Sequence, residues 1–238
     1  MRWSIGKACG FGVLLFCVSG LTADDTRNVK VPPDAALKRL VEGNARFVVD
    51  QSSPREPFYV QRAKLADQQR PFVVILACSD SRVSPELIFN LQLGEAFVIR
   101  VAGNVTSPEI TGSIEYAVEH LGPTLVVVLG HTKCGAVEAA LSGAKLEGNL
   151  GVLIQRVAIG SNLPTEIGSN LPTEKEAALD AAVDANVARQ TQQLEKESTV
   201  LRDFASSNRI RIVGATYDLK SGKVKWLEKA STKSGAPE

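Results

Sequence analysis

Short apolar runs alternate with longer amphipathic stretches along most of the chain. Four of these runs are rich in branched aliphatic residues and predict buried strands: PFVVILA (71–77), EAFVIRVA (95–102), TLVVVLG (124–130) and IRIVGATYD (210–218). A shorter run, GKVKWLE (222–228), follows the turn-like segment DLKSG and predicts an antiparallel strand at the edge of the same sheet.

The segments between these strands carry helix signals. PDAALKRLVEGNARFV (33–48) keeps its apolar residues on one face, and SPEITGSIEYAVEHL (107–121) begins with a serine cap followed by a proline. A third helix is expected in CGAVEAALSG (134–143), and a long one from about Lys175 to Phe204. Because strands alternate with helices, we expect an α/β fold with a mostly parallel sheet and helices on both faces.

Composition is that of a globular protein. The chain has 238 residues, of which 44% are hydrophobic and 22% charged, with a formal net charge of +1. Residues 24–238 are enough for a single domain with a full core, and the sequence gives no sign of a linker. The balanced charge gives no indication of nucleic acid or an anionic membrane surface as a partner.

Residues 1–23 have the features of a secretory signal peptide. Arg2 and Lys7 precede an apolar run that ends in small residues. The run is shorter than the roughly 20 residues that a membrane span needs. We therefore expect cleavage near Gly20 or Ala23 and an exported protein, in the bacterial periplasm, with no membrane attachment afterwards. An uncleaved anchor and a cytosolic protein with an apolar N-terminus are the alternatives.

Cleavage would remove two of the four cysteines and leave Cys78 and Cys134. In an oxidising compartment this pair forms either a disulfide or another kind of site. Cys78 ends the first predicted strand, whereas His131 and Cys134 follow the third with a spacing typical of metal ligands. If the core strands lie in the order 2-1-3-4, all three side chains meet in one crevice at the carboxyl ends of the strands.

This set of side chains predicts one zinc ion per subunit. Thiolates and an imidazole suit zinc, and three protein ligands leave the fourth position open, as in catalytic sites. Asp80 and Arg82 alternate with serines directly after Cys78 in CSDSR. Asp80 is an ambiguous fourth group, and Arg82 is close enough in sequence to hold it away from the metal.

The octapeptide IGSNLPTE occurs at 159–166 and again at 167–174. Its Gly, Ser, Asn and Pro content predicts a loop. Doubling a surface loop costs only about 0.6 kcal/mol in closure entropy. We interpret the repeat as a tolerated duplication without a catalytic role.

The two site motifs, CSDSR and GHTKCGA, resemble the C-x-D-x-R and H-x-x-C signatures of the β-class carbonic anhydrases. The similarity covers most of the chain and includes GNARF, GEAFVIRVAGN, GSIEYAVEHL and VGATYDLKSGKV. The resemblance implies a dimer-forming α/β sheet with an antiparallel edge strand, as a homodimer or a higher homo-oligomer. It also implies reversible hydration of carbon dioxide to bicarbonate and a proton.

The resemblance further implies roles for individual residues. Zinc would be held by Cys78, His131 and Cys134. Asp80, kept ionised and oriented by Arg82, would accept a hydrogen bond from the attacking hydroxide, and would bind zinc only in a closed, inactive state.

Four more residues are candidates for the substrate pocket. Gln69 matches a glutamine that hydrogen-bonds substrate, and Phe97 and Tyr116 match aromatic residues that line the pocket, partly from the neighbouring subunit. The backbone N–H of Gly135, at a helix start, is placed to stabilise the anionic product. Core packing is the alternative for Phe97 and Tyr116, and simple solvation for Gln69.

A regulatory feature of some relatives is expected to be missing. In those relatives a tryptophan three residues before the first zinc cysteine, with an arginine and a tyrosine, binds bicarbonate and locks the aspartate onto zinc. Arg100 and Tyr217 fill two of these positions here, but the tryptophan position is Ile75. We therefore expect no bicarbonate lock.

Three other functions are compatible with the sequence. The same site could hydrolyse carbonyl sulfide or carbon disulfide, because access to the pocket decides the substrate. A redox protein with a Cys78–Cys134 disulfide is a further alternative, and the presence of His131, Asp80 and Arg82 argues against it. A non-catalytic zinc-binding protein is another, and the Asp80 and Arg82 dyad with the single open ligand position argues against that one.

Overall fold

The computed structural model describes residues 30–51, 56–143, 145–157 and 175–227. The predicted signal peptide and the duplicated octapeptide both lie outside these described residues. Across the described ranges, no helix combines the length and the apolar character that a membrane span requires.

The element boundaries follow the apolar pattern closely. The helices are α1 Pro33–Val48, α2 Phe58–Leu65, α3 Pro85–Ile88, α4 Pro108–Tyr116, α5 Gly135–Leu141, α6 Gly148–Val157, α7 Lys175–Glu197 and α8 Thr199–Ser206. The strands are β1 Val73–Ala77, β2 Ala96–Arg100, β3 Leu125–His131, β4 Arg211–Tyr217 and β5 Val224–Leu227. A 3-10 turn, Ala102–Asn104, follows β2, and a π-helical turn extends α4 to Leu121.

The sheet confirms the expected topology. Its strand order is β2-β1-β3-β4-β5, in which the first four strands are parallel and β5 pairs antiparallel with β4. Ala77 of β1 lies opposite Leu129 of β3. The residues that follow these two strands therefore leave the sheet at the same edge.

Helices cover both faces of the sheet, as expected. Along β1, Val73, Ile75 and Ala77 face the side on which α1 and α3 pack, and Val74 and Leu76 face α4, α7 and α8. Every residue of β1 and β3 is buried. This two-sided burial explains why both strands are continuous apolar runs.

Two glycines allow α7 to lie close against the sheet. A Cβ atom on Gly130 would lie 2.5 Å from Cγ2 of Val187, and one on Gly214 would lie 2.7 Å from Cγ1 of the same valine. Val187 therefore fits into a groove on β3 and β4 that any larger residue would fill. Because Gly130 directly precedes His131, this groove seats α7 beside the carboxyl ends of the strands.

The prediction of one helix from about Lys175 to Phe204 is wrong. The helix ends at Glu197, and Ser198 takes an extended conformation before α8 begins. The Ser198 hydroxyl accepts a hydrogen bond from the Leu201 N–H at 3.0 Å and donates to Glu115 Oε1 at 2.5 Å. A serine that caps a new helix in this way competes with continuation of the old one.

The groove for Val187 gives a testable prediction. We expect Gly214→Ala to lower the free energy of unfolding by about 1–3 kcal/mol, because the new methyl group would overpack Val187. Gly112→Ala in α4 is the matched control, since a Cβ there meets nothing within 4 Å. Equilibrium denaturation of both variants checks this expectation, and equal stability of the two would contradict it.

Candidate metal centre

The loop after β1 carries three of the predicted site residues. Cys78 directly follows the strand and is buried, and a turn brings the Val83 N–H onto the Asp80 carbonyl at 3.0 Å. Arg100, the last residue of β2, donates from Nε to the Cys78 carbonyl at 3.1 Å and from Nη2 to the Asp80 carbonyl at 2.6 Å. One guanidinium thus fixes the backbone of the loop that presents Cys78.

The loop after β3 presents the other two ligand candidates. His131 is the last residue of β3, and Cys134 directly precedes α5. Between them, Thr132 contacts Asp218 through its hydroxyl at 3.3 Å, and Lys133 has a φ of 56°, in the left-handed region. This tight connection turns the chain so that Cys134 comes back toward His131.

The structure brings Cys78, His131 and Cys134 together. Their potential ligand atoms all lie within 4.8 Å of one another, and all three residues are buried. His131 Nδ1 lies 2.9 Å from the Thr132 carbonyl oxygen, which can only accept. Nδ1 therefore carries the proton, and Nε2 keeps its lone pair.

The donor set fits a metal ion. His131 is 0% exposed, and its Nε2 makes no hydrogen bond within the described part of the chain. A buried polar atom without a partner requires an explanation, and a missing metal ion is one of the usual ones. Two sulfurs and one imidazole nitrogen are the ligands that zinc prefers.

Backbone N–H groups stabilise the two sulfurs. The Cys134 side chain hydrogen-bonds to Cys78, which lowers the pKa of the Cys78 thiol to about 4 and raises that of Cys134. The Gly103 N–H also donates to Cys78 Sγ at 3.4 Å. The backbone N–H groups of Ala136 and Val137, in the first turn of α5, act in the opposite direction to the contact with Cys78 and favour the thiolate of Cys134. Backbone N–H groups thus favour deprotonated sulfur at both positions, while the contact between the two sulfurs keeps the proton on Cys134.

Asp80 and Arg82 form a bidentate ion pair at the rim of the cluster. Arg82 donates from Nε to Oδ1 at 2.9 Å and from Nη2 to Oδ2 at 2.7 Å, and its backbone N–H also reaches Oδ1 at 2.9 Å. The Arg82 side chain holds the pKa of the Asp80 carboxyl well below its usual range. Oδ2 also lies 3.9 Å from His131 Nε2, so an ionised carboxylate faces the cluster.

Gly135 occupies the position expected from the sequence. It is the first residue of α5 and directly follows Cys134. A Cβ atom built on it would meet nothing within 4 Å, so open space lies beside it. Its contribution to product binding stays a prediction.

The structure does not bring the other pocket candidates to this cluster within one chain. Gln69 and Tyr116 line a cavity of about 910 Å³ near Phe72 and Thr124, which precede β1 and β3. The cysteine cluster lies at the carboxyl ends of these strands, and a five-residue strand such as β1 spans about 16 Å. Gln69 and Tyr116 therefore lie near the amino ends of the strands, on the opposite side of the sheet from the cluster.

Phe97 belongs to the same distant region. Its ring centroid lies 6.4 Å from that of Tyr116, and its side chain packs partly against the apolar core. Tyr116 itself is 50% exposed. Within a single chain, these aromatic residues form a half-exposed pair and not a wall of the metal site.

Sequence reasoning missed Gly103 as a sulfur contact. The signal was present in the sequence AGN (102–104) shortly after β2, because a glycine near a strand end often marks a close backbone approach. Gly103 belongs to the loop after β2, whereas Cys78 belongs to the loop after β1, so the contact depends on how the two loops pack together. Spacing around Cys78 alone could not reveal it.

Comparisons with known proteins agree with this geometry. A family model described as carbonic anhydrase matches residues 73–224. The carbonic anhydrase of Mycolicibacterium smegmatis is 39% identical over 196 residues, which cover 81% of this chain and 92% of that protein. Carbonic anhydrase 2 of Mycobacterium tuberculosis is 38% identical over 195 residues, which cover 80% and 91%.

Solved structures lead to the same family. A β-carbonic anhydrase of Aspergillus fumigatus superposes with a TM-score of 0.66 at 29% identity, covering 83% of this chain and 91% of that one. One of two tetrameric β-carbonic anhydrases of Sordaria macrospora gives a TM-score of 0.63 at 28% identity, covering 69% and 84%. From its fold, its cysteine and histidine cluster and these similarities, the chain belongs to the β-carbonic anhydrase family of lyases.

Proposed function

We propose that this chain catalyses the reversible hydration of carbon dioxide to bicarbonate and a proton, with one zinc ion per subunit. The observation that carries the proposal is the buried convergence of Cys78, His131 and Cys134, with the Asp80–Arg82 ion pair at its rim. Relatives that are named carbonic anhydrase support it.

The three ligand candidates would hold zinc and leave one position open. Zinc bound there supplies a Lewis acid that lowers the pKa of water and makes hydroxide available near neutral pH. Cys78 and Cys134 receive backbone N–H donors that favour their thiolate forms. His131 is held in the required tautomer by the Thr132 carbonyl.

Asp80 is the orienting group in this proposal. Both of its oxygens are held by Arg82, so the carboxylate stays ionised and its direction is fixed. Oδ2 lies 3.9 Å from His131 Nε2, where it would accept a hydrogen bond from a nucleophile held beside the cluster. Such a bond would orient an oxygen lone pair toward the carbon of carbon dioxide.

The surroundings of the site suit an uncharged, apolar substrate. Side chains of an apolar cluster pack around the two sulfurs: Val105, Val137, Ile154, Val157 and Leu179. Such an environment excludes water and strengthens the electrostatic contacts of the few polar groups inside it. The open space beside Gly135 offers room for the substrate and its product.

We infer that the enzyme functions as a homodimer or a higher oligomer. β2 lies at one side of the sheet, where among the described residues it pairs with β1 alone, and its apolar residues are only half buried. An apolar edge of this kind favours a covering partner. A second copy on this side would bring Gln69, Phe97 and Tyr116 toward the partner's metal site, as the family resemblance implies. Sedimentation at the mass of a single chain would contradict this inference.

Zinc content is the first test of the site. We expect Cys78→Ser, His131→Ala and Cys134→Ser each to lose most of the zinc, because each removes one of three ligands. Asp80→Asn and Arg82→Ala should retain it, since neither residue is a ligand in the active state. Elemental analysis of the purified variants checks this. Full zinc in a ligand variant, or equal loss in a dyad variant, would contradict the assignment.

Stopped-flow measurement of carbon dioxide hydration is the test of the activity. We expect Asp80→Asn to lower the rate by about 100-fold, because the nucleophile loses its orienting acceptor. Asp34→Asn is the matched control, since it removes a different Asp–Arg pair, with Arg211 at 2.9 Å. An equal loss in both variants would contradict the role of Asp80. Faster turnover of carbonyl sulfide than of carbon dioxide would favour the alternative substrate.

Bicarbonate should act only as a product. Ile75 is fully buried in the same apolar cluster as Tyr217, and two nitrogens of Arg100 donate to backbone carbonyls. A bicarbonate ion there would lose its water without gaining partners. We therefore expect the hydration rate to rise smoothly with pH, as a single group, the water that zinc would activate, ionises. A steep, cooperative loss below about pH 8, deepened by bicarbonate, would overturn this prediction.

A further inference from the structure

One sulfur of the proposed zinc site depends on a donor from outside its own loop. At Cys134, the backbone N–H groups of Ala136 and Val137, its neighbours in sequence, favour the thiolate form. Cys78 receives the N–H of Gly103, which is 25 residues away, at 3.4 Å in a buried contact. The environment of Cys78 therefore depends on whatever holds Gly103 in place.

The turn that contains Gly103 has an unusual backbone. Gly103 has a φ of 71° and Asn104 a φ of 44°, so two successive residues are left-handed. Such a conformation persists only where the surrounding structure determines it. A Cβ atom on Gly103 would lie 2.8 Å from Cγ2 of Val157, so the turn is also tightly packed.

Asn186 of α7 fixes this turn. Its Nδ2 donates to the Gly103 carbonyl at 2.9 Å, and its Oδ1 accepts from Gln190 Nε2 at 3.1 Å. Gln190 is one helical turn further along α7, and its Oε1 accepts from the N–H of Thr106 at 2.8 Å and from its hydroxyl at 2.9 Å. Gln190 Nε2 also donates to the Arg156 carbonyl at 3.0 Å.

Both amide side chains are only 2% exposed. Asparagine is a weak helix former, and a buried amide is costly unless its hydrogen bonds are made. An aliphatic residue would fill the same space more cheaply, as Val183 and Val187 do nearby on α7. The amides at these two positions therefore indicate a requirement for directed hydrogen bonds.

We propose that Asn186, oriented by Gln190, is a positioning residue for the metal ligand Cys78. It anchors the Gly103 turn so that the Gly103 N–H keeps its hydrogen bond to Cys78 Sγ. It thereby influences the metal affinity of the site and the electron density on this sulfur. The inference rests on the proposed zinc site. Groups that hold metal ligands from behind typically change metal affinity by about 10–100-fold when removed.

The test compares Asn186→Ala and Asn186→Leu with the control Asn44→Ala. Asn44 is also a buried asparagine, and it donates to the carbonyls of Ile88 and Gly222 and accepts from Val224 N–H, away from the metal site. Asn186→Leu keeps a side chain of similar size and removes its hydrogen-bonding groups without adding a charge. Gln190→Glu, which keeps the acceptor for Thr106, serves as a second route if the Asn186 variants fold poorly.

Two measurements separate positioning from general destabilisation. One is the apparent Kd for zinc in competition with a coloured chelator, and the other is the thiolate-to-metal charge-transfer band after cobalt substitution. We expect both Asn186 variants to bind zinc about 10–100-fold more weakly. Their band should move to longer wavelength, because a sulfur without its N–H donor gives up electron density more easily. Asn44→Ala should change neither property.

Wild-type zinc affinity and an unshifted cobalt band in folded Asn186 and Gln190 variants would overturn this inference alone. Equal changes in Asn44→Ala would also overturn it, because metal binding would then follow overall stability. If the wild-type protein binds neither zinc nor cobalt through its cysteines, the proposed function fails first, and this inference with it.

Discussion

Parallel pairing of β1 with β3 is the constraint on which the site depends. Ala77 lies opposite Leu129, so Cys78 and His131 emerge from neighbouring strands at the same edge of the sheet. Both strands are buried throughout, which fixes their register, because a shift by one residue would turn every side chain to the other face. The cluster of Cys78, His131 and Cys134 is thus a consequence of how the core packs.

Burying two sulfurs and an imidazole is costly, and the surrounding backbone offsets much of that cost. The Gly103 N–H donates to Cys78 Sγ, and N–H groups in the first turn of α5 favour the thiolate of Cys134. The charge pair of Asp80 with Arg82 stays at the rim, where the Arg82 side chain is 55% exposed. A partly solvated pair avoids most of the desolvation penalty that a buried pair would incur. Backbone N–H dipoles therefore stabilise the buried sulfurs, and the Asp80–Arg82 pair supplies full charges where water can still reach them. This arrangement suits a metal site with a single open position.

Much of this could be predicted from the sequence, because the decisive signals are local. The apolar runs gave four strands and their edge partner, and CSDSR with H-x-x-C gave the metal cluster, since each ligand lies at the end of a strand or within three residues of it. Features that depend on contacts distant in sequence were not predictable. The break at Ser198 depends on a hydroxyl that also contacts Glu115, and the link from Asn186 to Gly103 joins α7 to a loop 83 residues away. Gln69 and Tyr116 are a third case, because their distance from the cluster is a property of the folded chain.

Zinc K-edge X-ray absorption on the purified wild-type protein tests most directly whether these residues form a catalytic zinc site. Two sulfur ligands at about 2.3 Å, one imidazole nitrogen at about 2.0–2.1 Å and one further light atom are the expected coordination. That result would match Cys78, Cys134 and His131 with one open position. Zinc surrounded only by nitrogen and oxygen, or a protein without zinc in which the two cysteines form a disulfide, would contradict it.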